Sequence, residues 1–196
     1  MHPYSTNSEE RSQIPFYVGG VAFLLAWLIA SILKDVHIPF WLEVPGTGTL
    51  YAVLFAIFRS YMWKWKIFRI VGLVKVSDLE GDWHGHVTSS FDKLAEQYPV
   101  TVRIRQNWTH MAIHLAADGS SSRSVVASLY VAEDETVLSY QYKNEPNVRA
   151  TQTMHAHNGT ASLHVTDNNS RLTGDYYSGR DRNNHGQIIL KRKQKR

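Results

Sequence analysis

Leu79-Glu80-Gly81-Asp82-Trp83-His84-Gly85 is the stretch that decides the reading of this 196-residue chain. Leu79, Gly81, Trp83 and Gly85 recur at period two, with Glu80, Asp82 and His84 between them, so the stretch is a strand with one face turned inward. A single indole flanked by glycines suits the narrow end of a small β-barrel. Glycine relieves bulk where the strand must curve, and Trp83 plugs the interior; Gly81 and Trp83 are therefore assigned to the barrel core. Everything before this stretch reads as membrane segment, and everything after it as alternating strands.

Downstream, turn signals divide the chain into eight short strands, near 79 to 89, 99 to 107, 109 to 117, 123 to 132, 136 to 143, 159 to 166, 171 to 178 and 185 to 192. Inward faces recur at period two, as in Val100, Val102 and Ile104, or Leu138, Tyr140 and Tyr142. An even number of consecutive antiparallel strands can close on itself and leave no edge. The fold expected for residues 76–196 is an eight-stranded up-and-down antiparallel β-barrel, with Gly174 joining Gly81 and Trp83 in its core.

Upstream, Phe16 to Leu33 carries no charged residue, and these positions as helix span about 27 Å, close to the roughly 30 Å of a hydrocarbon core. A second apolar run begins at Gly46 and meets Arg59; an arginine near a helix end can snorkel, so a span over about 44 to 62 is expected. Residues 16–75 thus form two transmembrane helices and an interfacial linker. Residues 1–15 are polar and aperiodic and are expected to be a disordered leader. Small residues recur four apart as Ala22, Ala26 and Ala30, and as Gly48, Ala52 and Ala56, which permits close helix approach within the pair or between copies. Basic residues Arg59, Lys64, Lys66, Arg69 and Lys75 follow the second span. Positive-inside bias then places the barrel, and with two spans the N-terminus, in the cytoplasm.

The net charge of +4 is unevenly distributed. Residues 1–75 hold seven Lys/Arg against four Asp/Glu, and residues 76–196 hold fourteen against thirteen. The barrel is nearly neutral, and much of its positive charge lies in Lys191-Arg192-Lys193-Gln194-Lys195-Arg196, so a face for duplex DNA or RNA is not expected. Without cysteine there is neither a disulfide frame nor a thiolate metal site. His84/His86, His110/His114 and His155/His157 are paired, but no carboxylate or third histidine is spaced to complete a metal site. The chain has no serine elbow, P-loop, Rossmann glycine pattern or zinc-protease helix. Neither enzyme activity, cofactor nor metal is expected.

Two membrane helices followed by strands, with Leu79 to Gly85 near the domain start and Leu172-Thr-Gly-Asp-Tyr-Tyr177 before a final Gly186-Gln-Ile-Ile-Leu190, resemble the two-transmembrane β-barrel effectors of bacterial cyclic-oligonucleotide-based anti-phage systems. The resemblance covers residues 16 to 192. It implies that the barrel senses a cyclic dinucleotide, and that the protein then assembles with copies of itself among the lipids of the inner membrane and disrupts it. A membrane-tethered, lipocalin-like barrel for an apolar or lipid ligand is the other reading.

Topology places the longer connections, 90 to 98, 118 to 122, 144 to 158 and 179 to 184, at one end of such a barrel. Unequal rims leave one end open as a mouth. That rim collects Lys93, Arg123, Lys143, Arg149, Arg180 and Arg182 with Phe91, Tyr98, Tyr142 and Tyr177. Cations suit phosphates and flat rings suit bases. Arg149, Arg180, Arg182, Tyr142, Tyr177, Arg123 and Lys143 are the candidate ligand contacts.

Overall fold

The computed structural model describes residues 1–32, 40–132, 135–148, 155–179 and 183–193, and for 40–45 the backbone course only. The chain forms two compact units, Met1–Asn7 with Val76–Arg196, and Ser8–Lys75. In the first unit the alternating runs form β2 (Gly81–Val87), β3 (Tyr98–Gln106), β4 (His110–Ala117), β5 (Ser120–Val131), β6 (Thr136–Pro146), β7 (His157–Thr166), β8 (Arg171–Ser178) and β9 (His185–Arg192). Each pairs antiparallel with the next, and β9 returns to β2 in the register Trp83↔Arg192 through Val87↔Ile188, closing the barrel.

Among the described residues the barrel has nine strands rather than the eight expected. β4 and β5 pair only where His114 to Ala116 meet Ser121 to Arg123, because a bulge between Ser124 and Val126 bends β5 away. At the branch, the Ile113 amide donates to Ser124 Oγ at 2.9 Å in place of a ladder bond. The wedge is filled by β1 (His2–Thr6). His2 and Pro3 run antiparallel to Met111 and His110, and Tyr4, Ser5 and Thr6 run parallel to Ala127, Ser128 and Leu129. Asn7 extends the match, its amide donating to the Val131 carbonyl at 2.8 Å while its side-chain oxygen accepts from the Val131 amide at 2.7 Å. The expected disordered leader is thus corrected over residues 2 to 6. A polar segment is ordered because it satisfies two otherwise open strand edges, a backbone demand that leaves little hydrophobic trace in sequence.

One end of the barrel is sealed. Trp83, 1% exposed, and Trp108 fill it with Leu79, Leu129, Leu138, Leu163 and Leu172, and the Trp83 indole N–H donates to the Leu79 carbonyl at 3.0 Å. Gln106, buried on β3, accepts from the Leu79 amide at 2.7 Å and donates to the Ser77 carbonyl at 3.0 Å and the Tyr4 hydroxyl at 3.3 Å. Tyr4 in turn donates to the Trp108 carbonyl, so one amide side chain ties β1 to the barrel floor. The Arg192 guanidinium lies 5.3 Å from the Trp83 ring centre and donates to the Asp78 and Glu80 carbonyls. Gly81 adopts φ +150°, a conformation that favours glycine. At Gly174 a β-carbon would overlap the Ser162 carbonyl oxygen, so glycine permits close approach of β7 and β8.

The second unit contains α1 (Glu10–Ile32), α2 (Phe40–Ser60) and the short α3 (Lys66–Ile70), and α1 and α2 pack together. Among the described residues α1 alone is both long and apolar enough to cross a membrane. The expectation of two such helices is met in part: α2 is a helix of 21 residues, of which 46–60 have described side chains. Ala22 is buried, Ala26 half-buried and Ala30 exposed, whereas Gly48, Ala52 and Ala56 are all exposed. The first stripe therefore enters protein packing at Ala22, and the second faces outward.

Candidate functional site

The other end of the barrel is open, as the unequal connections predict, onto a cavity of about 460 Å³, within the range of small-molecule sites. Its walls are the last inward positions of the strands. On β6 these are Tyr140, Tyr142 and Asn144, on β5 Ser120 and Ser122, on β8 Tyr176 and Ser178, and on β7 His157. Ser122 and Asn144 face each other across β5 and β6, and both are buried.

Two tyrosines owe their positions to glycines on neighbouring strands. Tyr142 is opposite Gly159, and a β-carbon there would overlap Cζ and Oη of the Tyr142 ring. Tyr176 is opposite Gly186, where a β-carbon would lie 2.8 Å from the Tyr176 ring. An aromatic ring laid over a cross-strand glycine covers backbone and has its tilt fixed by it. Tyr176 Oη donates to the Thr88 carbonyl at 3.1 Å. The Tyr140 and Tyr142 rings lie 6.1 Å apart at 52°.

The β2–β3 connection adds two further rings. Ser89 Oγ accepts from the Phe91 amide and starts a single 3-10 turn over Ser90–Asp92. The Asp92 carboxylate then accepts from the Leu94 and Glu96 amides and from the Tyr98 hydroxyl at 3.2 Å. The turn leaves Phe91, 72% exposed, at the mouth. Burial pushes the Tyr140 phenol well above its usual range, with Tyr142 adding to the shift. Tyr98 is raised first by burial and then by its bond to Asp92. Both phenols therefore stay neutral at physiological pH, offering ring faces and hydroxyl donors without charge.

The placement of the candidate contacts follows strand parity. Tyr142, with Phe91 and Tyr98, lines the cavity. Arg123, Lys143 and Tyr177 point to the outer face; Tyr177 is 57% exposed, and Lys143 pairs with Glu145 at 3.2 Å. Each is one residue from an inward neighbour, Ser122, Tyr142 or Tyr176, because successive strand side chains alternate faces. Lys93 is exposed beside the mouth and is not part of the wall. Arg149, Arg180 and Arg182 lie outside the described residues. The described wall contains no lysine or arginine; its polar groups are hydroxyls, amides, His157 and Asp118. Tyr140, Tyr176, Ser122 and Asn144 are wall residues outside the candidate contacts, although Tyr140 is an inward position by its spacing and one further step of the Leu138, Tyr140, Tyr142 period reaches Asn144. Among the described residues no three histidine or acidic side chains gather as a metal site.

Residues 74–192 match the family described as Cap15, cyclic dinucleotide receptor domain. The chain is 28% identical to CD-NTase-associated protein 15 of Staphylococcus schleiferi, over 81% of this chain and 84% of that protein. It is 27% identical to CD-NTase-associated protein 15 of Yersinia aleksiciae, over 93% of this chain and 92% of that protein.

Proposed function

Since the chain belongs to the Cap15 cyclic dinucleotide receptor family, we propose that its barrel mouth binds a cyclic dinucleotide and that binding switches on a membrane effector of anti-phage defence. The observation that carries the assignment to the mouth is the ring of Phe91, Tyr98, Tyr140, Tyr142 and Tyr176 around one open cavity. Aromatic faces are sequence-tolerant platforms for bases, each stack contributing roughly 1–3 kcal/mol. The serine hydroxyls, Asn144, Asn184 and His157 supply hydrogen bonds to base edges and sugars. Phosphates need cations, and Arg149, Arg180 and Arg182 belong to the connections that join Pro146 to His157 and Ser178 to His185, strand ends of this rim. The polar pair Ser122 and Asn144 in the wall suits a ligand with hydrogen-bonding edges better than the purely apolar one of the lipocalin-like alternative.

In this reading α1 and α2 hold the receptor at the inner membrane, barrel and N-terminus in the cytoplasm. The support is that α1 exposes Phe16, Phe23, Leu24, Trp27 and Ile32, apolar surface that water would penalise. Ligand-bound copies then assemble, the exposed Gly48, Ala52 and Ala56 packing between copies, and the membrane fails. Calorimetry on the full chain in detergent micelles against a panel of cyclic dinucleotides tests the receptor step. One member should bind, and Arg149→Ala or Arg180→Ala should weaken it more than Arg123→Ala on the outer face. Absence of binding to every member would leave the apolar carrier. Ala26→Leu with Ala56→Leu should abolish ligand-dependent crosslinking and loss of membrane potential while sparing nucleotide affinity; a double variant that still crosslinks and kills would refute assembly through these helices.

A further inference from the structure

At the sealed end, opposite the mouth, the β8–β9 edge carries a second cleft of about 320 Å³ lined by Asp167, Ser170, Arg171, Lys191, Arg192 and Lys193. Four cations face a single acid. The Arg192 guanidinium is occupied by the Asp78 and Glu80 carbonyls and lies 3.8 Å from the Asp78 carboxylate. Arg171 and Lys191 are direct cross-strand partners, an arrangement of like charges that weakens a sheet. Among the described residues neither forms an ion pair, and Arg171 Nε is buried without a hydrogen-bond partner. Lys193 lies in the field of Asp82, but that carboxylate is bound to Arg103 at 2.7 Å. Ser170 Oγ donates to the Asp167 carbonyl at 2.6 Å and the Arg192 amide to the Ser170 carbonyl, which fixes the turn beneath the cations.

Arg171 and Lys191, cross-strand neighbours of like charge without an ion pair among the described residues, with Lys193 beside them in the same cleft, form an unfavourable arrangement that an anion would relieve. We propose that this cleft is an anion site for a phosphate group, separate from the nucleotide mouth, with Arg171 offering forked donors and Lys191 and Lys193 point charges. The phosphate is carried either by an anionic lipid headgroup or by a soluble phosphate compound. The full chain in detergent micelles distinguishes the two. In one arm, native mass spectrometry counts retained phosphatidylglycerol against phosphatidylcholine; in the other, calorimetry measures inorganic pyrophosphate without lipid.

The wild type should favour phosphatidylglycerol or bind pyrophosphate, the responding arm naming the source. Arg171→Gln with Lys191→Gln should lower that binding at least about tenfold, since each lost contact is charge-assisted. Cyclic dinucleotide affinity in the same variant should be unchanged, which reports an intact barrel. Its ligand-free thermal midpoint should hold or rise as the cross-strand repulsion disappears. Equal binding by wild type and variant in both arms, or a lowered midpoint showing that the two cations support the fold itself, would overturn the site.

Discussion

Gly159→Ala is the smallest change that should disable the mouth while leaving every polar group in place. A β-carbon at 159 overlaps the outer end of the Tyr142 ring and falls 2.5 Å from the Tyr177 carbonyl oxygen on β8. The carbonyl belongs to a paired strand and cannot move freely, so the ring must swing off the glycine and into the cavity. Overpacking of this kind costs about 1–3 kcal/mol of stability. A misplaced ring forfeits one base stack of roughly 1–3 kcal/mol, about 5- to 150-fold in Kd. Calorimetry with the cyclic dinucleotide that binds the wild type measures the loss, and a thermal midpoint measured alongside separates it from unfolding. The mechanism is tested by a double-mutant cycle. In a Tyr142→Ala background the ring is gone, so Gly159→Ala should reduce affinity little further. Equal fold-losses in both backgrounds would mean that Gly159 acts through the backbone, and the account of Tyr142 as a positioned stacking face would be refuted.

Gln106→Leu should destabilise the barrel by about 2–5 kcal/mol, because the Leu79 amide and the Ser77 carbonyl are left buried without their partner; a urea-unfolding loss below about 1 kcal/mol would contradict that role. Deleting residues 2 to 6 should open the wedge between β4 and β5 and expose two unpaired edges, giving aggregation by light scattering even in micelles; a monodisperse deletion variant would show that β1 is dispensable. Stability should also fall as pH rises above about 10, since the unfolded Tyr140 phenol ionises there while burial keeps the native one protonated. The raised native pKa means its contribution is complete below the unfolded value and lost above it, so Tyr140→Phe should flatten the alkaline limb of the thermal midpoint. An unchanged limb would mean that other groups govern it.

The barrel strands were legible because each has one face in a packed interior, and period two survives in sequence wherever burial is one-sided. Trp83, Val100, Val102, Ile104, Leu138 and Leu163 are buried as their spacing demands. β1 was not legible, since its stabilisation is backbone pairing to a wedge that exists only once β5 has bulged. Two cations of the rim stand outside the cavity for a related reason. Arg123 and Lys143 lie at the mouth end of the barrel, yet parity directs both outward, where charge is solvated at little cost.

What marks the site in this chain is a gradient along the inward positions. From floor to mouth, β6 reads Leu138, Tyr140, Tyr142, Asn144; β8 reads Leu172, Gly174, Tyr176, Ser178; β7 reads Leu163, Ala161, Gly159, His157; and β5, across its bulge, passes from Leu129 and Ala127 to Ser122 and Ser120. Four strands change from aliphatic to small or aromatic and then to polar groups toward the mouth. Buried hydroxyls, amides and imidazoles are unfavourable unless bonded, so inward polar residues at the ends of four strands mark where packing stops and the open cavity begins. The sealed end obeys the same rule in reverse. There the inward cation Arg192 is satisfied by carbonyls and by the Trp83 ring, and Gln106 uses its amide on the chain itself. Polar groups consumed by the fold define the floor, and groups presented at the mouth define the receptor.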